Sequence, residues 1–256
     1  MKYLAISLVN LRAKLSYRGN ELVRLSVQLG RMLVSIWMWV FIYTHSTSTI
    51  NGFSLPVLIQ YFVFVTILST LFSTSPIFRL SNQIRSGRFT TILTRPISVF
   101  WEGLAAHVGS QLLAIAFVLI ALLVLIPFAG VFKILVAAVY LIVGFFMFYT
   151  LTMFAGTFSF WLINMWPLRS AINALFLILG GQYFPLSFLG ERLSNWLQFN
   201  PFSLLTDVPA RYFSGQIANS KIFLYFGALL LWTVFFVFGY KFLLKRGSQK
   251  YEGVGA

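Results

Sequence analysis

The chain has 256 residues, of which 59% are hydrophobic and 9% charged, with a mean hydropathy of +0.86 and a formal charge of +14. A soluble domain carries about 25% charged residues, so this composition describes a polytopic membrane protein; at ~20 residues per spanning helix it leaves no room for a large soluble domain. Cysteine is absent, which removes disulfides and thiolate metal sites. Two histidines and five scattered carboxylates argue against a metal cluster or an acid–base site, and the positive charge suits basic loops beside anionic lipid rather than nucleic acid.

Residues 1–24 come first. Leu4, Leu8, Leu11 and Leu15 recur at helical spacing while Arg12, Lys14 and Arg18 lie mostly off that stripe, which predicts a basic amphipathic helix lying along the membrane surface. Its charged stretch is too long for a signal peptide and no small-residue cleavage site follows Tyr43, so the segment is expected to be retained. The first span is predicted over Leu25–Tyr43. Arg31 falls inside it: either it snorkels to the inner leaflet, or it meets an anionic substrate or a partner helix.

An uncharged external loop, Thr44–Ser54, leads to a second span over Leu55–Phe78. A polar, basic segment follows, residues 79–102, with Arg79, Arg85, Arg88 and Arg95. Four arginines in a short connection place it in the cytoplasm. Leu80 and Ile84 predict a helix that stops at Gly87, and a second piece ends at Pro96. The third span is expected over Gly103–Ile126, with a tight external turn from Pro127 to Lys133. The fourth, Ile134–Leu162, exceeds the bilayer and is expected to tilt or bend at Gly144 or Gly156. Asn164–Arg169 reads as a short cytoplasmic turn.

The fifth apolar segment is interrupted. Ala171–Leu179 is clean, but Gly180, Gly181 and Pro185 follow, and such breakers end helices at membrane depth only where protein or water covers the backbone. Leu189, Leu193, Trp196 and Leu197 then predict a short amphipathic helix dipping into or lying on the outer leaflet, within an external region spanning residues 186–220. Asn200-Pro201-Phe202 ends that helix, and Thr206–Ser220 reads as an external connection before the sixth span, Ile222–Leu244. The expected fold is therefore an all-α membrane protein with six transmembrane helices and cytoplasmic N- and C-termini, forming a single domain over residues 1–256. In this arrangement all lysines and arginines except Lys133, Arg192, Arg211 and Lys221 lie inside, as the positive-inside rule requires.

No phosphate-binding glycine loop with its lysine is present, so the chain carries no ATP site of its own. The Leu179-Gly180-Gly181-Gln182 stretch has no ATPase context and is explained by the helix break. An intramembrane lipid-modifying enzyme is the alternative function; it would need clustered carboxylates, a Ser/His pair or metal ligands. Glu102 sits at a helix start, where its charge suits the dipole, and His107 is off its face. Ser69, Ser73 and Ser75 suit packing or a path better than nucleophilic attack. No carboxylate falls in mid-span, as an ion-coupled carrier would require.

The order of these features resembles the permease subunits of ABC-2 type exporters, in the bacterial branch whose two permeases accompany a separate ATPase. The resemblance rests on the basic N-terminal helix, the six spans, Ile84-Arg85-Ser86-Gly87-Arg88 with Leu93-Thr94-Arg95-Pro96-Ile97, the broken fifth segment, Pro185-Leu186, Asn200-Pro201-Phe202, the Pro209–Gly215 stretch and Tyr251-Glu252-Gly253. The chain departs from the pattern at Leu189-Gly190, where a proline is expected. The resemblance implies a non-enzymatic permease of the bacterial cytoplasmic (inner) membrane. It implies that Ile84, Arg85, Gly87, Arg88, Arg95 and Pro96 contact an ABC ATPase dimer, which holds the ATP and Mg. It also implies a second permease, a copy or a related chain, with the export path between them. No cofactor, metal or nucleic acid is expected on this chain.

Overall fold

The computed structural model describes residues 2–45, 52–93 and 98–251, and its elements are helices. Four are long and apolar enough to cross a membrane: Gly19–Thr44, within α2 (Arg18–Thr44); α6 (Val99–Ala129); Val131–Phe160, which joins α7 (Val131–Thr157) to a 3-10 turn; and Asn219–Gln249, within α11 (Asn219–Lys250). Two further apolar helices are short, α3 (Leu55–Ser69) and α8 (Trp166–Leu179). At 1.5 Å per residue each reaches roughly 22 Å, less than the ~30 Å of hydrocarbon. Each is followed by irregular backbone and a second, shorter helix.

α7 is the most buried of the long helices and forms the axis of the fold, packing against α11, α6 and α4 (Ser75–Arg85). Its residues Tyr140, Met147, Phe148 and Tyr149 are fully enclosed. Gly144 and Gly156 do not interrupt its helix; they admit Leu205 and Leu80 from neighbouring segments.

Several boundaries differ from expectation. The N-terminal helix ends early: α1 covers Lys2–Ser16, and the chain turns at Tyr17 into α2, so residues 18–24 belong to the long helix. Leu4, Leu8 and Leu15 are exposed, as a lipid-facing stripe would be. The other face docks on α6, where the Ser7 hydroxyl donates to the Ala105 carbonyl at 2.7 Å. The third helix runs through Pro127 to Ala129, because a proline near the last turn forfeits only one hydrogen bond; the turn itself is Gly130, at φ +81°. Trp166, Pro167 and Arg169 are the first turn of α8 rather than a loop, with proline where its missing N–H is harmless.

The largest correction concerns the second span. It is not continuous to Phe78: α3 stops at Ser69, Thr70–Thr74 is irregular, and α4 begins at Ser75 with Pro76 in its first turn. The region predicted as an external connection is likewise different. Asp207–Phe213 forms α10, and Thr206 through Tyr212 are buried.

The α1–α6 contact gives a test. A Cβ on Gly109 would lie 2.1 Å from the Ser7 carbonyl oxygen, a backbone atom with nowhere to go. Gly109→Ala is expected to lift α1 from α6 and to speed tryptic cleavage at Arg12 roughly tenfold, the effect of about 1.4 kcal/mol of lost docking. Limited proteolysis of the purified chain, read against the parent, measures it.

Candidate functional site

Three groups of residues carry chemistry or mechanical shape. The first is the basic helical turn. α4 turns Ile77, Leu80 and Ile84 inward and leaves Arg85 exposed. The helix closes with Ser86 N–H on Asn82 O at 3.0 Å; Gly87 takes φ +73°, a conformation only glycine adopts freely; α5 (Arg88–Leu93) follows. The reversal inserts Phe89, which is fully buried, edge-on against Phe160 (5.4 Å) and Tyr251 (5.3 Å). Leu80, Ile84, Phe89, Tyr149, Met153 and Tyr240 make one small core that ties this turn to α7 and α11. Ile84 is therefore an anchor facing the bundle, whereas Arg85 and Arg88 face outward, Arg88 bonding Ser86 at 3.2 Å. Arg79, inside the turn, pairs with Glu102 at 3.1 Å and with Asn10 of α1 at 3.4 Å. Arg95 and Pro96 lie outside the described residues, as do Asn51 and the Glu252-Gly253 end of the tail.

The second group is a basic cleft of about 370 Å³ between α2, the irregular Thr70–Thr74 segment and α8. Arg24, Arg31 and Arg169 line it, with Gln28, Ser73, Asn173 and Gln182 and the apolar Val27, Phe72, Phe176 and Leu177. Arg31 stands at the midpoint of α2, roughly 20 Å from either end, and makes no hydrogen bond or ion pair among the described residues. Arg24 pairs with Glu21 at 2.8 Å, and Lys14 reaches the same carboxylate at 3.3 Å. Burial, with Arg24 nearby, lowers the pKa of Lys14 from the ordinary lysine value. Arg169 lies over the Phe78 ring at 4.8 Å and donates Nε to Thr74 at 3.1 Å, holding the irregular segment against α8. The sequence pointed to Arg31; Arg24 and Gln28 share its face of α2 by helical spacing, whereas Arg169 and Asn173 are brought to it only by the packing of α8.

The third group caps a second break. α8 stops at Leu179, Gly181 has φ +74°, Pro185 is buried, and a 3-10 turn over Leu186–Leu189 precedes α9 (Glu191–Leu197), whose Leu193 and Trp196 are exposed. The freed carbonyls are met one by one. Asn200 Nδ2 donates to Leu179 O at 3.3 Å, the Thr206 hydroxyl to Gly180 O at 2.5 Å, and Trp39 Nε1 to Tyr183 O at 3.1 Å. The Tyr61 hydroxyl lies 2.8 Å from both Gly181 O and Asp207 Oδ1, its proton between them. Asp207, fully buried, also accepts Leu186 N–H at 3.2 Å, and Arg211 Nε at 2.9 Å on its other oxygen. Nothing local in the sequence announces this hub beyond the Asp207/Arg211 spacing of four on an otherwise apolar helix.

Of the groups weighed for catalysis, Glu102 is engaged by Arg79, and His107 stacks between Phe145 (4.9 Å) and Tyr149 (5.6 Å). Among the described residues no three His, Asp or Glu side chains gather as a metal site would require.

Four helices long and apolar enough to cross a membrane, with two shorter apolar helices beside them, fit a multi-pass membrane protein. A family model described as ABC-2 family transporter protein matches residues 29–255, and the chain belongs to that family of ABC transporter permeases. No curated protein and no solved structure matches the chain.

The buried pair gives a prediction. Asp207→Asn leaves the Arg211 guanidinium buried without its counter-charge, which costs about 3–5 kcal/mol for a pair this enclosed. Its thermal unfolding in detergent should fall well below the parent's. Adding Arg211→Met to the same chain should recover part of the loss, since no charge is then stranded.

Proposed function

We propose that the chain is the membrane-spanning permease subunit of an ATP-driven ABC exporter, powered by an ABC ATPase dimer through the α4–Gly87–α5 turn. Six segments would cross the membrane, α3 and α8 each completed by its broken continuation, with both termini in the cytoplasm and the bacterial inner membrane as the setting. The family match supports the permease role. The observation that carries the coupling is the turn itself: a short helical pair, fixed by a positive-φ glycine and a buried phenylalanine, exposing Arg85 and Arg88 on a base continuous with α7 and α11.

A permease without a fuel site must receive work through contact, and a loose tether cannot transmit it. Arginines suit such a contact because their fork binds carboxylates in two-point geometry that lysine lacks. A second permease, a copy or a related chain, would close the open side of the basic cleft into an export path.

Two measurements test this reading. Ser86→Cys and Asn219→Cys, both exposed positions in a cysteine-free chain, should be labelled by an impermeant thiol reagent from the cytoplasmic and external sides respectively; external labelling at position 86 overturns the topology. Arg85→Lys with Arg88→Lys keeps the charge and should leave membrane insertion unchanged, yet weaken ATPase co-purification or uncouple hydrolysis from transport. Gly87→Leu should act the same way through the shape of the turn. Normal assembly and transport in both variants would reduce the turn to a topology signal.

A further inference from the structure

The basic cleft has a composition that topology does not require. Positive-inside charge belongs in loops at the membrane surface, yet Arg31 sits at the middle of α2, and the polar lining follows it inward to Gln182 beyond the end of α8. From Arg169 to Leu177 the cleft tracks about 12 Å of α8.

Its charges are unequally satisfied. Glu21 answers Arg24, and Thr74 and the Phe78 ring occupy part of Arg169. Arg31 and the Gln182 side chain have no hydrogen-bond partner among the described residues. The lining contains no Asp or Glu. Arg31, unpartnered among the described residues, with the ion-paired Arg24 and the partly engaged Arg169 beside it, lines a space too large for one water and within the range of small-molecule sites, which fits an oxyanion with room for what it is attached to.

The rest of the wall says what that is. Val27, Phe72, Phe176 and Leu177 are apolar, and elsewhere on the same two helices Val34, Leu175 and Ile178 are exposed. A ligand with its charge among the arginines would lay its remainder along this surface.

We propose that the cleft binds a phosphate-type oxyanion carried on an apolar tail, with Arg31 as the main anion contact and Arg24 and Arg169 setting the positive field. This rests on reading the chain as a permease and names the ligand class of its cleft. The same chemistry could come from an anionic lipid or from free phosphate, and burial of a tail separates the two.

The test uses the full chain alone, purified in neutral detergent, with ligand retention counted by native mass spectrometry. The probes are short-chain phosphatidic acid, phosphatidylcholine of equal tail length, and inorganic phosphate. Phosphatidic acid should be retained at least tenfold better than phosphatidylcholine. Arg31→Gln should lower its retention about tenfold, Arg31→Lys should restore most of it, and Arg192→Gln, an exposed arginine on α9, should leave it unchanged. Inorganic phosphate competing only at a hundredfold or more above the lipid supports a tailed ligand; competition at equal concentration overturns the tail and leaves a plain anion site. Equal retention of the two lipids, or equal loss in the Arg31→Gln and Arg192→Gln variants, overturns the cleft as the site. ATPase co-purification from membranes of the native host, read on the parent and the same Arg31→Gln chain, keeps the two ideas apart. Lipid retention without any ATPase in parent or variant leaves the cleft and removes the coupling; an intact ATPase complex without selective retention does the reverse.

Discussion

The rest of the fold depends on one constraint: backbone carbonyls freed inside the protein where a helix ends must find donors there. The break after α8 meets it with Asn200, Thr206, Tyr61 and Trp39, each from a different part of the chain. Asp207 then ties Tyr61 of α3 to Leu186 beyond the break and to Arg211 of its own helix. A buried carboxylate is costly unless so fully bonded. Once bonded, it ties the middle of α3 to the chain just beyond α8.

That fixation positions both functional regions. α3 and α8 run antiparallel, joined by Tyr61 and Gly181 at one end and by Thr74, Arg169 and Asn173 at the other. Their shared edge, with α2 alongside, is the basic cleft. The break after α3, packed by Phe72 against Phe148 and Phe176, is followed by α4, which lies on α7. On our reading a push on the exposed arginines of the α4–α5 turn passes through Ile84 and Phe89 into Tyr149 and Tyr240, on the two helices that form the spine of the fold.

Much of this was legible in the sequence for a plain reason. Long apolar runs, the Gly180-Gly181 and Pro185 breakers and the Gly87 stop are local signals, and local chemistry decides them. The unbroken reading of the second segment failed because Leu71 and Phe72 kept the run apolar; only Ser73 to Pro76 marked the new helix start. α10 was misplaced for the opposite reason. Asp207 and Arg211 look like surface residues one at a time, and nothing local announces that they satisfy each other and a distant tyrosine. Ile84, expected to face a partner, faces inward because helical spacing puts it on the face of Leu80 and Ile77. Arg31 stood out as a lone charge; Arg24 lies two turns earlier on the same face of α2, but Arg169 comes from α8, which only the fold brings beside them.

The central claim, that this permease is driven through the α4–α5 turn, is tested most directly by a photoreactive amino acid at Thr90. That position is exposed beside Arg88 on the outer side of the turn. In membranes of the native host the account predicts an adduct between this chain and an ATP-binding protein, formed in good yield and altered by ATP. Adducts with lipid alone at position 90, matching those from the same probe at the exposed Trp196, would contradict it.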